Sequence, residues 1–204
     1  MPEHSGLRHW VERSWYAPRP HPALRPLTAL YALVTGLRRG VYRAGLLRST
    51  HPGVPVIVVG NLTAGGTGKT PLVLWLAEQL RARGRKPGIV LRGYGGRQRA
   101  PRVVRADDDA QQVGDEALLL ARRGICPVAI GARRTAAAQL LADSGCDLVI
   151  ADDGLQHLAL RRDLAIVVVD GERGFGNGSL LPAGPLRESS QRLRSADVVV
   201  MHGE

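Results

Sequence analysis

Cysteine, lysine and aromatic residues are scarce in this 204-residue sequence. Its two cysteines, Cys126 and Cys146, form neither a CxxC pair nor a metal-ligand spacing, which excludes a disulfide scaffold and a cysteine metal centre. We therefore expect a reducing, cytoplasmic environment. The N-terminus lacks the cleavage pattern of a secretory signal, so we also expect no cleavable signal peptide.

Long hydrophobic runs are absent as well. The uncharged run from Pro26 to Leu37 spans 12 residues, well short of the ~20 that a membrane-spanning helix needs. With 44% hydrophobic and 23% charged residues, the composition excludes collagen-like, wholly disordered and multispanning membrane proteins. The length suits one α/β core with an appendage.

Net positive charge and aromatic residues concentrate in residues 1–50, where eight arginines oppose two glutamates and five of the eight aromatic residues lie. Apolar residues recur with helical spacing from Leu24 to Val41, flanked by arginines. This pattern is typical of an amphipathic helix on an anionic membrane surface. It is equally typical of a helix that packs on the core and leaves its arginines in water.

The rest of the chain alternates between strand and helix patterns. The strands are expected at Val54–Gly60, Gly88–Leu91, Cys126–Ile130, Asp147–Ala151, Leu164–Val169 and Ala196–Met201, and the helices at Pro71–Arg83, Asp115–Arg123 and Thr135–Ala142. This alternation predicts an α/β fold with a mainly parallel sheet flanked by helices. The glycine-rich stretch at residues 171–190 is expected to be a long loop, either functional or disordered.

A glycine-rich segment directly follows the first strand and precedes a helix. It reads GGTGKT over residues 65–70, with Thr63 where a strict phosphate-binding loop (P-loop) has its first glycine. Such a loop points backbone N–H groups at phosphate oxygens, Lys69 reaches the terminal phosphates and the Thr70 hydroxyl can bind Mg²⁺. The segment therefore predicts a P-loop fold that binds a nucleotide.

Two aspartates, Asp152 and Asp153, follow the strand at Asp147–Ala151. The carboxyl ends of parallel strands face the ligand crevice, so the pair is placed to hold Mg²⁺. The alternative is a turn that opens at Gly154. Beside the P-loop motif, the metal role is favoured.

Acidic residues also open the helix at Asp115, where Gly114 precedes Asp115 and Glu116. From spacing alone, these two carboxylates are more typical of residues that interact favourably with the helix dipole than of catalytic residues. His157 is, taken by itself, more typical of a structural histidine than of a catalyst.

Together these motifs resemble the tetraacyldisaccharide 4′-kinases of lipid A biosynthesis. The resemblance runs from about Leu24 to the last residue. It is carried by PLTALY, VGNLTAGGTGKTP, LRGYGG, VGDEALLLA, DDGLQH, RGFGNGSLLPAGPLRE and ADVVVMHG. The family's own loop also lacks the first glycine, so Thr63 fits its pattern.

The resemblance implies a role for each matching residue. Asp115 is the implied base for the sugar hydroxyl, with Lys69, Glu116 and His157 as further catalytic residues. The implied nucleotide contacts are Thr63, Gly65, Gly66, Thr67, Gly68, Lys69, Thr70 and Gln156. The implied Mg²⁺ ligands are Thr70, Asp152 and Asp153, and the implied substrate contacts are Arg92, Tyr94, Asn177 and Arg187.

The family further implies transfer of the γ-phosphoryl group of ATP to the 4′-hydroxyl of an acylated glucosamine disaccharide phosphate, yielding lipid IVA. The expected location is peripheral, on the cytoplasmic face of the bacterial inner membrane. Residues 1–50 become the expected membrane-associating segment and residues 51–204 the P-loop kinase core. The family is longer than this chain, so we expect the chain to match its N-terminal portion.

Two alternatives remain open. One is a membrane-associated P-loop ATPase that acts on a protein partner, and the other is a truncated, non-catalytic paralogue that binds nucleotide or lipid. Nucleic-acid binding is not expected, because residues 51–204 lack a basic stripe and have few aromatic residues for stacking.

Overall fold

The computed structural model describes residues 10–203, which form two compact units. Within these residues, unit 1 comprises residues 10–47, Asn61–Thr67 and residues 167–203. Unit 2 comprises Arg48–Gly60 and Gly68–Ile166. Residues 1–9 of the predicted membrane-associating segment and Glu204 of the predicted core lie outside the described residues.

The chain contains a seven-stranded sheet. Its strands are β1 (Val56–Gly60), β2 (Pro87–Leu91), β3 (Arg102–Val104), β4 (Val128–Ile130), β5 (Leu148–Asp152), β6 (Leu164–Asp170) and β7 (Val198–His202), in the order β3-β4-β2-β5-β1-β6-β7. Strand β5 is parallel to both β1 and β2, whereas β3 is antiparallel to β4. The predicted mainly parallel α/β sheet is confirmed.

Five α-helices are described: α1 (Arg25–Arg43), α2 (Lys69–Ala82), α3 (Ala110–Val113), α4 (Asp115–Arg123) and α5 (Arg134–Asp143). Two 3₁₀ helices, Pro22–Leu24 and Ser190–Ser195, are also described, and residues 10–14 are helical. Strand β3 and helix α3 were not predicted, because each is too short to show a hydrophobic period. The long helices begin and end within two residues of the predicted positions.

The core of unit 2 is built around β5, whose five residues are all buried. Its register pairs Asp152 with Val59 of β1, so β5 ends beside the last residues of β1. Gly60 closes β1 where a side chain would not fit, since a Cβ there would lie 2.6 Å from Cγ of the buried Leu155. The chain therefore leaves β1 at a tightly packed point.

In unit 1, the stretch at residues 171–190 is an ordered strap rather than a disordered loop. Asn177 organises it, donating from Nδ2 to the Ala183 carbonyl at 2.8 Å and accepting from the Ser179 N–H at 3.0 Å. The strap also holds α1, because the Tyr31 hydroxyl donates to the Arg187 carbonyl at 3.0 Å and Arg39 pairs with Glu188 at 3.5 Å. Its glycine content reflects turns, not disorder.

Helix α1 has no buried residue and presents an apolar row to solvent. The row consists of Leu27, Leu30, Leu33, Val34 and Leu37, each more than half exposed. Its other face makes the strap contacts. None of the helices among residues 10–203 combines the length and apolarity that crossing a membrane requires.

We expect Gly60→Ala to destabilise the chain by about 1–3 kcal/mol, because the added methyl group overlaps Leu155 in a packed core. Gly36→Ala is the matched control, since a Cβ there has open space and alanine favours the interior of α1. Urea unfolding measures both. An unfolding midpoint for Gly60→Ala at or above that of Gly36→Ala would contradict the packing described here.

Candidate active site

Residues 61–67, which lead into the glycine-rich segment and include its first three residues, belong to unit 1 and are held by the strap. The Ala64 N–H donates to the Pro185 carbonyl at 2.7 Å, and the Arg187 N–H donates to the Leu62 carbonyl at 2.7 Å. Gly65 and Gly66 are exposed. The Thr67 hydroxyl is buried and has no hydrogen-bond partner among the described residues. The loop is thus fixed at its start and open at its glycines.

The second part of the segment belongs to unit 2 and begins α2. Gly68 adopts a left-handed conformation with φ 70°, which turns the chain into the helix at Lys69. The Lys69 ammonium lies 3.8 Å from Asp153 Oδ1, and the Thr70 hydroxyl donates to Glu116 Oε1 at 2.7 Å. Lys69 is a predicted phosphate contact and Thr70 a predicted Mg²⁺ ligand. Each therefore contacts an acidic residue that is also predicted to belong to the site.

Asp152, the last residue of β5, is almost fully buried at 2% exposure. Neither of its carboxylate oxygens has a hydrogen-bond partner among the described residues. Burial raises the pKa of Asp152 to about 7, and the negative charges of Glu116 and Asp153 add to this while Lys69 opposes it. A carboxylate in this state is poised to accept a cation.

Asp153 directly follows and has φ 49°, a left-handed conformation that side chains other than glycine rarely adopt. Arg134, the first residue of α5, donates from Nη1 to the Asp153 carbonyl. Burial lowers the pKa of Arg134, while Asp153, Asp152 and Glu116 oppose that shift. Arg134 was not predicted, because adjacent Arg133 looks the same in sequence and only burial distinguishes the two.

A short, tightly packed backbone contact holds the start of α4. Gly114 has φ 89°, and a Cβ there would lie 2.4 Å from the Tyr94 carbonyl oxygen. The Gln98 N–H also donates to the Gln112 carbonyl at 3.0 Å. The loop carrying Arg92 and Tyr94 is therefore fixed beside Asp115, which is exposed at the first position of α4.

The remaining predicted residues fall in both units. In unit 2, Gln156 and His157 lie in the turn after β5, where the His157 N–H donates to the Gly154 carbonyl at 3.0 Å. In unit 1, Asn177 uses its amide within the strap, and Arg187 contributes its backbone to both the loop and α1. The substrate roles of Asn177 and Arg187 stay predictions.

The arrangement in unit 2 combines a lysine at a helix N-terminus, a hydroxyl and several carboxylates. Within residues 10–203, no three His, Cys, Asp or Glu side chains cluster so as to hold a metal ion. Mg²⁺ usually takes one or two carboxylates plus substrate phosphates rather than a protein cage. The buried carboxylate oxygens of Asp152, which have no hydrogen-bond partner within residues 10–203, fit such an ion.

A P-loop motif between a buried strand and a helix, within a mainly parallel sheet, defines a P-loop α/β protein. The family model for tetraacyldisaccharide-1-P 4′-kinase matches residues 20–204. The chain belongs to this family, as its motifs predicted.

Similar proteins give the same result. Tetraacyldisaccharide 4′-kinase of Alkalilimnicola ehrlichii is 59% identical over 95% of this chain and 58% of its own length. That of Methylobacillus flagellatus is 52% identical over 95% of this chain and 59% of its own length. The crystal structure of the "apo" form of LpxK from Aquifex aeolicus in complex with ATP has a TM-score of 0.79 and 34% identity, over 88% of this chain and 57% of that one. The chain thus spans about three fifths of the length of these relatives.

We expect Asp152→Asn to stabilise the metal-free chain at pH 8. The folded-state pKa of about 7 lies above the ordinary 3.8, so the folded chain retains a proton that the unfolded chain has released between these values. Stability from this group therefore falls as pH rises from about 4 to 7, and asparagine abolishes that loss. At ~1.4 kcal/mol per pKa unit, the gain at pH 8 is at most a few kcal/mol.

Thermal unfolding in EDTA at pH 4, 6 and 8 measures this gain. Asp107→Asn is the control, because Asp107 is exposed on unit 2 and its substitution is expected to change little. Equal stability of Asp152→Asn and the unsubstituted chain at pH 8 would show that the carboxylate carries no burial penalty.

Proposed function

We propose that this chain carries the P-loop core of a tetraacyldisaccharide 4′-kinase. The reaction is transfer of the γ-phosphoryl group of ATP to the 4′-hydroxyl of an acylated glucosamine disaccharide 1-phosphate, yielding lipid IVA. The observation that carries the proposal is Lys69 at the start of α2, ion-paired with Asp153 beside the buried Asp152. Membership of the family supplies the substrate class.

The glycine-rich segment and Thr63 before it form the proposed phosphate-binding site. The loop residues Thr63, Gly65, Gly66, Thr67 and Gly68 offer backbone N–H groups, and the N-terminus of α2 adds its dipole. Lys69 exchanges its contact with Asp153 for phosphate oxygens, which carry more negative charge. Gln156 is a further proposed nucleotide contact in the turn after β5.

The proposed Mg²⁺ ligands are Asp152, Asp153 and the Thr70 hydroxyl. The fit rests on the buried oxygens of Asp152 that have no partner among the described residues. When bound, the ion would neutralise charge on the transferring phosphate. The Thr70 hydroxyl donates to Glu116, so Glu116 would orient this ligand without being a proposed ligand itself.

Asp115 is the proposed base that accepts the proton of the sugar hydroxyl. It is exposed at the first position of α4, whereas Glu116 is engaged by Thr70. Phosphoryl transfer has a loose transition state, so a carboxylate acts chiefly by orienting the attacking hydroxyl. His157, in the turn after β5, is a proposed further member of the site.

Substrate contacts are proposed at Arg92, Tyr94, Asn177 and Arg187. Tyr94 is 88% exposed on a loop whose backbone is fixed against Gly114, so its ring is available to a ligand. Arg92 is exposed on the same loop and suits an anionic sugar phosphate.

Membrane association is proposed for residues 1–50. The exposed apolar row of α1 would enter the lipid interface while its arginines meet anionic headgroups. The acyl chains of the substrate would then remain in the bilayer. The proposed location is peripheral, on the cytoplasmic face of the bacterial inner membrane.

We expect Lys69→Ala to lower ATP-dependent phosphorylation of the disaccharide by at least ~10²-fold, because a phosphate-binding cation is lost. Asp115→Asn should cost about 10²–10⁴-fold through loss of the base. Lys86→Ala is the matched control, since Lys86 is the chain's other lysine and is exposed. Lipid product is measured by transfer of labelled phosphate.

Other outcomes of this assay favour the alternatives. Wild-type rates in both Lys69→Ala and Asp115→Asn would refute the assignment. ATP binding without any product favours a non-catalytic paralogue, and partner-stimulated hydrolysis without lipid product favours an ATPase.

We expect Leu30→Gln combined with Leu37→Gln to weaken binding to anionic vesicles at least tenfold. Each leucine contributes roughly 1.5–3 kcal/mol when fully buried in an apolar phase. Leu119→Gln is the control, because Leu119 is exposed on α4 of unit 2. Vesicle cosedimentation measures the partitioning. Unchanged binding of the double variant would exclude α1 as the attachment surface.

A further inference from the structure

Arg134 occupies an electrostatically costly position. It is 7% exposed, and its Nε is buried without a hydrogen-bond partner among the described residues. It is also the first residue of α5, where the positive end of the helix dipole disfavours a cation. Arg133, next to it, is exposed. A buried arginine in such a place needs a compensating interaction.

The interactions that compensate for the burial of Arg134 lie at the end of β5. Arg134 Nη1 donates to the carbonyl oxygen of Asp153, and its charge interacts favourably with Asp152, Asp153 and Glu116. Asp153 is also, among residues 10–203, the only non-glycine residue with positive φ. A left-handed conformation of this kind persists only where surrounding contacts impose it.

The carbonyl that Arg134 binds belongs to the strained residue itself. The contact therefore acts on the Asp153–Gly154 peptide, at the end of the short backbone segment that carries both carboxylates. Lys69 holds the Asp153 side chain from α2, and the Gly154 N–H donates to the Val59 carbonyl at 3.3 Å. Arg134 thus holds the carbonyl of the Asp153–Gly154 peptide, while Val59 holds its N–H and Lys69 contacts the Asp153 carboxylate.

We propose that Arg134 is a positioning residue that locks the Asp153 peptide and so aims the carboxylates of Asp152 and Asp153 at a divalent cation. The inference deepens the proposed kinase function and rests on it for the identity of the cation. Arg134 itself need not touch nucleotide or substrate.

The first test needs no ligand. Hydrogen exchange of the amides at residues 153–157 should be about tenfold faster in Arg134→Met than in the unsubstituted chain, with α5 unchanged. Arg133→Met, the matched control, should leave exchange unaltered. Unchanged exchange at residues 153–157 in a folded Arg134→Met chain overturns the proposal.

The second test measures Mn²⁺ affinity by calorimetry in the presence of a non-hydrolysable ATP analogue. Residues that orient metal ligands typically contribute 10–100-fold to metal affinity. We expect a loss of that size in Arg134→Met, partial recovery in Arg134→Lys, and nucleotide affinity without metal changed less than about threefold. Wild-type Mn²⁺ affinity in Arg134→Met overturns the proposal.

Arg134→Lys also serves if Arg134→Met does not fold, because it keeps the charge but loses the planar guanidinium. Wild-type Mn²⁺ affinity and exchange in Arg134→Lys would then overturn the proposal. If the unsubstituted chain binds no Mn²⁺ with the nucleotide analogue, the proposed kinase function fails, whereas the exchange measurement still decides the positioning role.

Discussion

The buried carboxylate of Asp152 is the constraint on which the rest of the unit 2 site depends. Removing an unpaired charge from water is expensive, so the surrounding residues have to offset that cost or exploit it. Lys69 and Arg134 supply positive charge, while Glu116 and Asp153 add negative charge that raises the pKa of Asp152. Strand β1 also ends beside Asp152, since Val59 pairs with Asp152 and Gly60 packs tightly against Leu155. The cost of burying Asp152 is consistent with the proposed role of this site in binding a cation.

In unit 1, one segment performs two structural tasks, which explains why its motif is long. The strap at residues 171–190 binds the chain before the glycine-rich segment through Pro185 and Arg187, and it binds α1 through Arg187 and Glu188. The same few residues thus fix the chain before the glycine-rich segment and a helix with an exposed apolar row. A change in the strap is expected to disturb both.

Sequence reasoning identified the residues whose chemistry is visible in local patterns. The P-loop motif, the acidic pair after β5 and the alternation of strands and helices follow from spacing and hydrophobic period, and the family follows from the motifs. Arg134 could not be found this way, because its significance comes from burial and from a contact with Asp153 that is distant in sequence. The ordered conformation of the strap could not be predicted from the sequence either, because its hydrogen bonds join Asn177 to loop carbonyls and form no periodic element.

Several features of the chain lower its stability and share one explanation. The carboxylate oxygens of Asp152 and the hydroxyl of Thr67 are buried and have no hydrogen-bond partner among the described residues. Helix α1 exposes five large apolar residues. Packing alone would favour apolar residues at the first two positions and polar residues on the helix. Each feature instead matches one proposed binding event: a cation at Asp152, a nucleotide at Thr67 and a membrane at α1. Free energy lost in the chain alone is then recovered on binding, as expected where function rather than stability determines the residue.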